Sequence, residues 1–305
     1  MTSRRNFIAG AAAIGAASLA QPALAKIQGS CIRTRDGTDI YVKDWGSGPA
    51  VVLSHGWPFN ADSWDYHAAK LVEAGYRVVS FDRRGFGRSS QPGGGYDFNT
   101  FADDLDLVMR ASDVRDVTLI GFSMGGGEVV RYVTRHHAKA KRVRKLAIVG
   151  GAATLLLKTA DNPNGMDASG FQGIKDGIAA DRATFFAGFL RDVFYDAANA
   201  KTHKVTPEIL NWSVDMAMQA GLLPTLACVD AFAKEDFRPE LPSIAMPTLL
   251  IHGTADIPVP IDISARYAAK AIKGSKLVEY EGASHGILVT ERDRISRDLL
   301  AFLKS

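Results

Sequence analysis

The chain has 305 residues, 47% apolar and 23% charged, the balance of a globular protein with ample material for a buried core. Its formal charge of +3 includes Arg4 and Arg5 of a leader expected to be removed; residues 1–25 hold no acid, so 34 basic residues face 33 acidic ones, about +1. That balance excludes the long-range field that nucleic acid or anionic lipid needs, and the composition excludes intrinsic disorder.

The first segment, Ser3-Arg4-Arg5-Asn6-Phe7 followed by AGAAAIGAASLA and Ala23-Leu24-Ala25, has the charged start, apolar middle and Ala-x-Ala end of an export signal. The paired arginines resemble a twin-arginine signal. The Ala- and Gly-rich middle is shorter than the ~20 residues that span a bilayer. Residues 1–25 are therefore expected to be cleaved, leaving residues 26–305 as one domain in the periplasm or outside the cell, with no membrane attachment.

In chain order, Cys31 falls in a first strand. Ile40–Trp45 alternates and breaks at Gly46-Ser47-Gly48-Pro49, as an antiparallel hairpin would. Val51–Leu53, Val78–Phe81, Val117–Phe122, Leu146–Val149, Thr248–Ile251 and Leu277–Tyr280 are short, continuous apolar runs, the signature of parallel strands covered on both faces. Between them Ala61–Glu73, Phe101–Ala111, Gly125–His137, Ile263–Ile272 and Arg292–Leu303 have helical spacing. This alternation predicts a doubly wound α/β sheet. Residues 151–240 break the rhythm with helical patterns at Ile174–Leu190, Pro207–Gln219 and Pro224–Phe232. A structureless loop of that length is implausible, so they predict a helical cap inserted over the strand ends. Cys228 falls within that stretch, far from Cys31 in the chain, and both are expected as free thiols.

The strongest chemical motif is Gly121-Phe122-Ser123-Met124-Gly125, directly after one apolar strand and directly before a helix. That is the strand–turn–helix setting of a nucleophile elbow, with Ser123 as the attacking residue. A serine hydroxyl needs a base and an orienting acid. His285, in Gly282-Ala283-Ser284-His285-Gly286 after the last strand, is the expected base, and Asp256, past the strand Thr248–Ile251, the expected acid. The tetrahedral oxyanion needs donors; these are expected to be the backbone N–H groups of Met124 and of Trp57, in Ser54-His55-Gly56-Trp57-Pro58. Pro58 cannot donate and restricts Trp57, which would aim the Trp57 carbonyl into the site. Asp103, Asp104 and Asp106 are read as first-turn acids on a helix dipole, and Asp82 with Arg83 and Arg84 as a structural network. No Cys/His cluster has zinc spacing, and no Gly-rich loop has a dinucleotide or phosphate pattern.

His55–Pro58, Ala61–Asp65, Phe81–Ser90, Gly121–Glu128 with Arg131-Tyr132, Leu157–Thr159 and Asn162–Gly165 together resemble the cofactor-free haloperoxidase (non-haem chloroperoxidase) and arylesterase family of α/β-hydrolases. The likeness covers essentially the whole mature chain. It implies an eight-stranded sheet with a helical cap, no metal or haem, oligomers, and a triad mapping onto Ser123, Asp256 and His285. The family hydrolyses aryl and small alkyl esters, and many members perhydrolyse short carboxylic acids with hydrogen peroxide; the peracid then oxidises halide away from the protein. Phe86 stands where the family usually has His, and Ser284 where Pro is common; neither removes a triad atom, but both bear on rate and substrate fit, and a twin-arginine signal is unusual for the family. The same triad also serves lactonases, amidases and carbon–carbon hydrolases. Dehalogenases and epoxide hydrolases carry aspartate at the Ser123 position. A non-catalytic binder of this fold would usually have lost a triad member.

Overall fold

The computed structural model describes residues 30–196, 198–199 and 205–305. The expected export signal, residues 1–25, lies outside the described residues. Eight strands, β1 (Cys31–Arg33), β2 (Asp39–Trp45), β3 (Ala50–Ser54), β4 (Arg77–Phe81), β5 (Val117–Phe122), β6 (Val143–Val149), β7 (Thr248–Gly253) and β8 (Lys276–Tyr280), form a single sheet. Its order is β1-β2-β4-β3-β5-β6-β7-β8. β2 pairs antiparallel with both β1 and β4, and every later pairing is parallel. β5 and β7 are buried at every residue, which is why their sequences run apolar without alternation. β2 mixes buried and exposed positions and reads accordingly.

The helices are α1 (Asp65–Glu73), α2 (Phe98–Ala111), α3 (Met124–Tyr132), α4 (Ala138–Ala140), α5 (Ala168–Phe189), α6 (Pro207–Gln219), α7 (Leu222–Lys234), α8 (Ala265–Ala271), α9 (Ile287–Thr290) and α10 (Arg292–Lys304). α1 begins as a 3₁₀ turn, Ala61–Trp64, capped by Asn60. α3 runs through a π-helical turn, Val133–His137, into α4. α2 starts earlier than its periodicity suggests: Asp97 is the cap, accepting from the Asn99 and Thr100 amides. Asp103, Asp104 and Asp106 therefore sit past the first turn and do not serve the helix dipole. Asp103 meets Arg135 and His136, Asp106 pairs with Arg110, and Asp104 is buried on Arg84.

Between β6 and β7 the chain leaves the sheet for α5, α6 and α7. α5 is interrupted at Asp181 (φ −157°, ψ 95°), whose carboxylate accepts from the Thr184 amide and caps the second half. Phe171, Ile174 and Phe189 of α5 and Phe232 of α7 turn inward over the C-terminal end of β5, where doubly wound sheets bind their ligands. Cys31 and Cys228 are free, and burial pushes the Cys228 thiol up to about 12.

Candidate active site

β5 is pinned at the centre of the sheet by β3 and β6 and delivers Ser123 at its C-terminal end. Ser123 has φ 54° and ψ −123°, a conformation L-residues rarely hold. The flanking glycines make that turn possible. A Cβ on Gly121 would lie 2.2 Å from the Gly125 carbonyl oxygen, and one on Gly125 would lie 2.6 Å from that of Ser54. Gly126 fits against Gly151, whereas Gly127 makes room for the Phe237 ring, so only part of the glycine run serves the strand–helix approach. Gly56 is also required by packing: its Cβ would stand 2.8 Å from Ser123 Cβ.

His285 follows β8 on the loop before α9, and Asp256 follows β7. His285 Nε2 is 2.8 Å from Ser123 Oγ, and His285 Nδ1 is 2.7 Å from Asp256 Oδ2. The structure therefore brings together, as one chain of hydrogen bonds, the three side chains singled out above. Asp256 is fully buried, and its Oδ1 accepts from the Val259 amide at 2.8 Å. Burial opposes its ionisation, but the His285 imidazole and the N–H groups of His285 and His252 prevail and hold its carboxyl below the ordinary range. Phe122 stacks on the His285 ring, and Phe194 meets it edge-on with centroids 4.8 Å apart, so the imidazole is clamped on a face and an edge.

Ser123, His285, Trp57 and Met124 open onto a cavity of about 220 Å³ closed by Phe171, Ile174, Phe189, Phe194 and Phe232. Apart from Ser123 and His285 its lining is apolar or aromatic. Among the described residues, neither the Trp57 nor the Met124 amide donates a backbone hydrogen bond. Met124 directly follows the nucleophile, and Trp57 lines the same cavity. The Trp57–Pro58 peptide is cis, and the Trp57 indole donates to the Thr225 carbonyl of α7 at 3.1 Å. A hydroxyl, an imidazole and a buried carboxylate in line is an arrangement able to form and break acyl esters.

Comparison with known proteins identifies the family. The sequence profile of the α/β hydrolase fold family matches residues 49–291. A non-heme chloroperoxidase of Kitasatospora aureofaciens is 41% identical over 88% of this chain and 98% of its own. The chain belongs to the α/β-hydrolase family. Within it, a bifunctional esterase/perhydrolase of Acinetobacter calcoaceticus is 35% identical over 90% of this chain and 99% of its own. The crystal structure of a bromoperoxidase from Bacillus anthracis superposes with a TM-score of 0.83, 39% identity, and 88% and 96% coverage. This chain is thus an α/β-hydrolase enzyme of the non-haem haloperoxidase type.

Two departures from that family's pattern have a physical place here. Ser284 donates to the Tyr195 carbonyl at 2.8 Å, tying the His285 loop to the inserted segment through a bond proline could not make. Phe86 is fully buried, its ring edge-on to His55. Around the site the Asp82–Arg84 run divides three ways. Asp82 holds Arg88 and the Ala61 amide, Arg84 pairs with Asp104 and Asp36, and Arg83 pairs with Glu128 of α3. Two participants had no sequence signal strong enough to find them. Glu128 lies one turn past Met124, and His252, the penultimate residue of β7, lies 3.2 Å from Asp256 Oδ2. The hint available for His252 was its place four residues before the acid.

Proposed function

We propose that this enzyme cleaves carboxylic esters of small or aromatic molecules through an acyl-enzyme, and that hydrogen peroxide competes with water to release the acyl group as a peracid. The observation that carries this is the Ser123–His285–Asp256 relay, with contacts of 2.8 and 2.7 Å, on the floor of an apolar cavity. Ser123 Oγ attacks the ester carbonyl while His285 Nε2 takes its proton. Asp256 orients the imidazole and stabilises the imidazolium without taking the proton itself. The Trp57 and Met124 amides receive the oxyanion. His285 then protonates the departing alcohol, and water or peroxide attacks the acyl carbonyl with His285 again as base. An apolar cavity strengthens each of these interactions by excluding water. The names of the chloroperoxidase and esterase/perhydrolase relatives support the same reading.

The test is a fluorophosphonate label together with p-nitrophenyl acetate hydrolysis on the purified protein. A single adduct on Ser123 and loss of hydrolysis in Ser123→Ala are the expected results; hydrolysis unchanged in Ser123→Ala would refute the assignment. Acetate with peroxide, read by monochlorodimedone halogenation in bromide, measures the peracid branch.

The Arg4-Arg5 pair and the Ala23–Ala25 end support export of the folded enzyme, leaving residues 26–305 as the working domain; fractionation of expressing cells and the N-terminus of the recovered protein test this. Self-association belongs to the same reading on family resemblance, and sedimentation velocity decides it.

A further inference from the structure

His252 lies behind the triad acid rather than beside the nucleophile. Its ring is buried, with Nε2 2.8 Å from the Val259 carbonyl oxygen and 3.2 Å from Asp256 Oδ2, the same oxygen that accepts from His285 Nδ1 at 2.7 Å. A carbonyl oxygen only accepts, so the nitrogen facing it carries the hydrogen. The N–H of His252 therefore points at Val259 O, with its nitrogen also 3.2 Å from Asp256 Oδ2. The other ring nitrogen, Nδ1, is buried with no hydrogen-bond partner among the described residues. A hydrogen there would be a buried donor without an acceptor, which is unfavourable, so the geometry places the ring hydrogen on Nε2.

The titratable groups around this cluster are few. Asp256 shares the turn, and His285 and Ser123 lie on its far side. Glu279 of β8 is the register partner of His252, and its carboxylate is taken up by Arg266 of α8. From the inserted segment Tyr195 packs on Gly286, but its hydroxyl is bonded to Ser213. The carboxylate of Asp256 thus accepts from the Val259 amide on Oδ1 and from His285 on Oδ2, with the His252 Nε2 standing alongside Oδ2 at 3.2 Å.

We propose that His252 is a positioning residue of the triad: its Nε2–H fixes the rotation of Asp256 and takes a share of the charge on Oδ2, tempering the basicity of His285. This rests on the Ser123–His285–Asp256 assignment, which Ser123 labelling tests separately. Without this N–H, Oδ2 would serve His285 alone. The imidazolium would be better stabilised, moving the acid limb of kcat/KM to higher pH, while a looser carboxylate would lower kcat. A residue that merely braced the turn through Val259 would move neither.

The experiment compares His252→Phe, which removes the donor, with His252→Gln, which keeps an amide N–H, using p-nitrophenyl acetate from pH 5 to 9. For His252→Phe we expect kcat to fall about tenfold with KM unchanged, well short of the roughly 10⁴-fold cost of disabling an orienting acid. Its acid-limb pKa should rise by about half a unit, and His252→Gln should restore both. A His252→Phe enzyme with the wild-type kcat and pH profile, or a His252→Gln enzyme as impaired as His252→Phe, would overturn the proposal. Should His252→Phe fail to fold, ¹⁵N-histidine NMR of the wild type decides. An Nε2–H tautomer for His252 supports the assignment; an Nδ1–H tautomer rejects it, whether or not Ser123 labels.

Discussion

Arg83 and Glu128 form a fully buried ion pair that joins the loop after β4 to the nucleophile helix, their side chains 1% and 0% exposed. The Arg83 guanidinium also donates to Ser54 Oγ at 2.9 Å and to the His55 carbonyl at 2.8 Å, while Ser54 Oγ donates to Glu128 at 2.8 Å. One guanidinium therefore couples the strand end that leads to Trp57 with the helix that carries Met124. It holds the two amides proposed to receive the oxyanion in a fixed relation. Removing either partner strands a buried charge, which costs about 3–5 kcal/mol. Arg83→Met and Glu128→Leu are each expected to lower stability by that amount in urea unfolding. The double variant should recover most of the stability but not the esterase kcat, because Ser54 and His55 lose their anchor.

Within the triad the expected losses are unequal. His285→Ala should cost nearly as much as Ser123→Ala, on the order of 10⁶-fold in kcat, and Asp256→Asn on the order of 10⁴-fold. Removing two members together should cost little more than removing one, since the three act as a unit. Single-turnover release of p-nitrophenol measures all of these; additive losses would show that the side chains work independently.

The glycines separate into those that packing requires and those it does not. Gly121→Ala places a methyl group 2.2 Å from a carbonyl oxygen and is expected to abolish fluorophosphonate labelling of Ser123. Gly173, in α5, has open space where its Cβ would stand. Gly173→Ala should therefore raise stability by about 0.5–1 kcal/mol through helix propensity alone. Thermal unfolding and the label distinguish the two cases.

Stability should fall on mild acidification, and one source is His67. It is buried on the face of α1 that meets α9 and α10, bonded to Ser296 and the Leu288 carbonyl, and burial lowers its pKa from 6.5 to about 4. The unfolded chain therefore binds a proton that the folded chain refuses between those values. Unfolding free energy is then complete above about pH 6.5 and declines as pH falls toward 4. His55, also buried and held well below its usual range by burial and by Arg83, acts in the same direction. His67→Gln should flatten the slope of the urea midpoint against pH over this window. An unchanged slope would assign the acid sensitivity elsewhere.

The sheet was legible because its strands are buried on both faces. Val117–Phe122 and Thr248–Ile251 read as continuous apolar runs, and the structure places them as β5 and the body of β7. Ser123 was legible because an elbow needs glycines at set positions within five residues of chain. His285 and Asp256 followed from lying just past strand ends, where the fold converges. Helix starts were less legible: Asp97, not the later acids, caps α2, because a cap is set by one extended residue rather than by composition.

What the sequence determined by itself is thus the order of strands and helices and the local backbone that presents Ser123, since burial periodicity and glycine sterics act over a few residues. The tertiary structure alone decided which side chains meet across the ends of that sheet. Arg83 and Glu128 are 45 residues apart, Ser284 and Tyr195 89 apart, and His252 reaches Asp256 only because the turn folds back on Val259. Such contacts depend on side-chain direction and on long-range packing, which no periodicity records. The cavity is decided in the same way: its walls come from strand-end loops and from helices inserted between β6 and β7, and their inward faces exist only once those segments pack against each other.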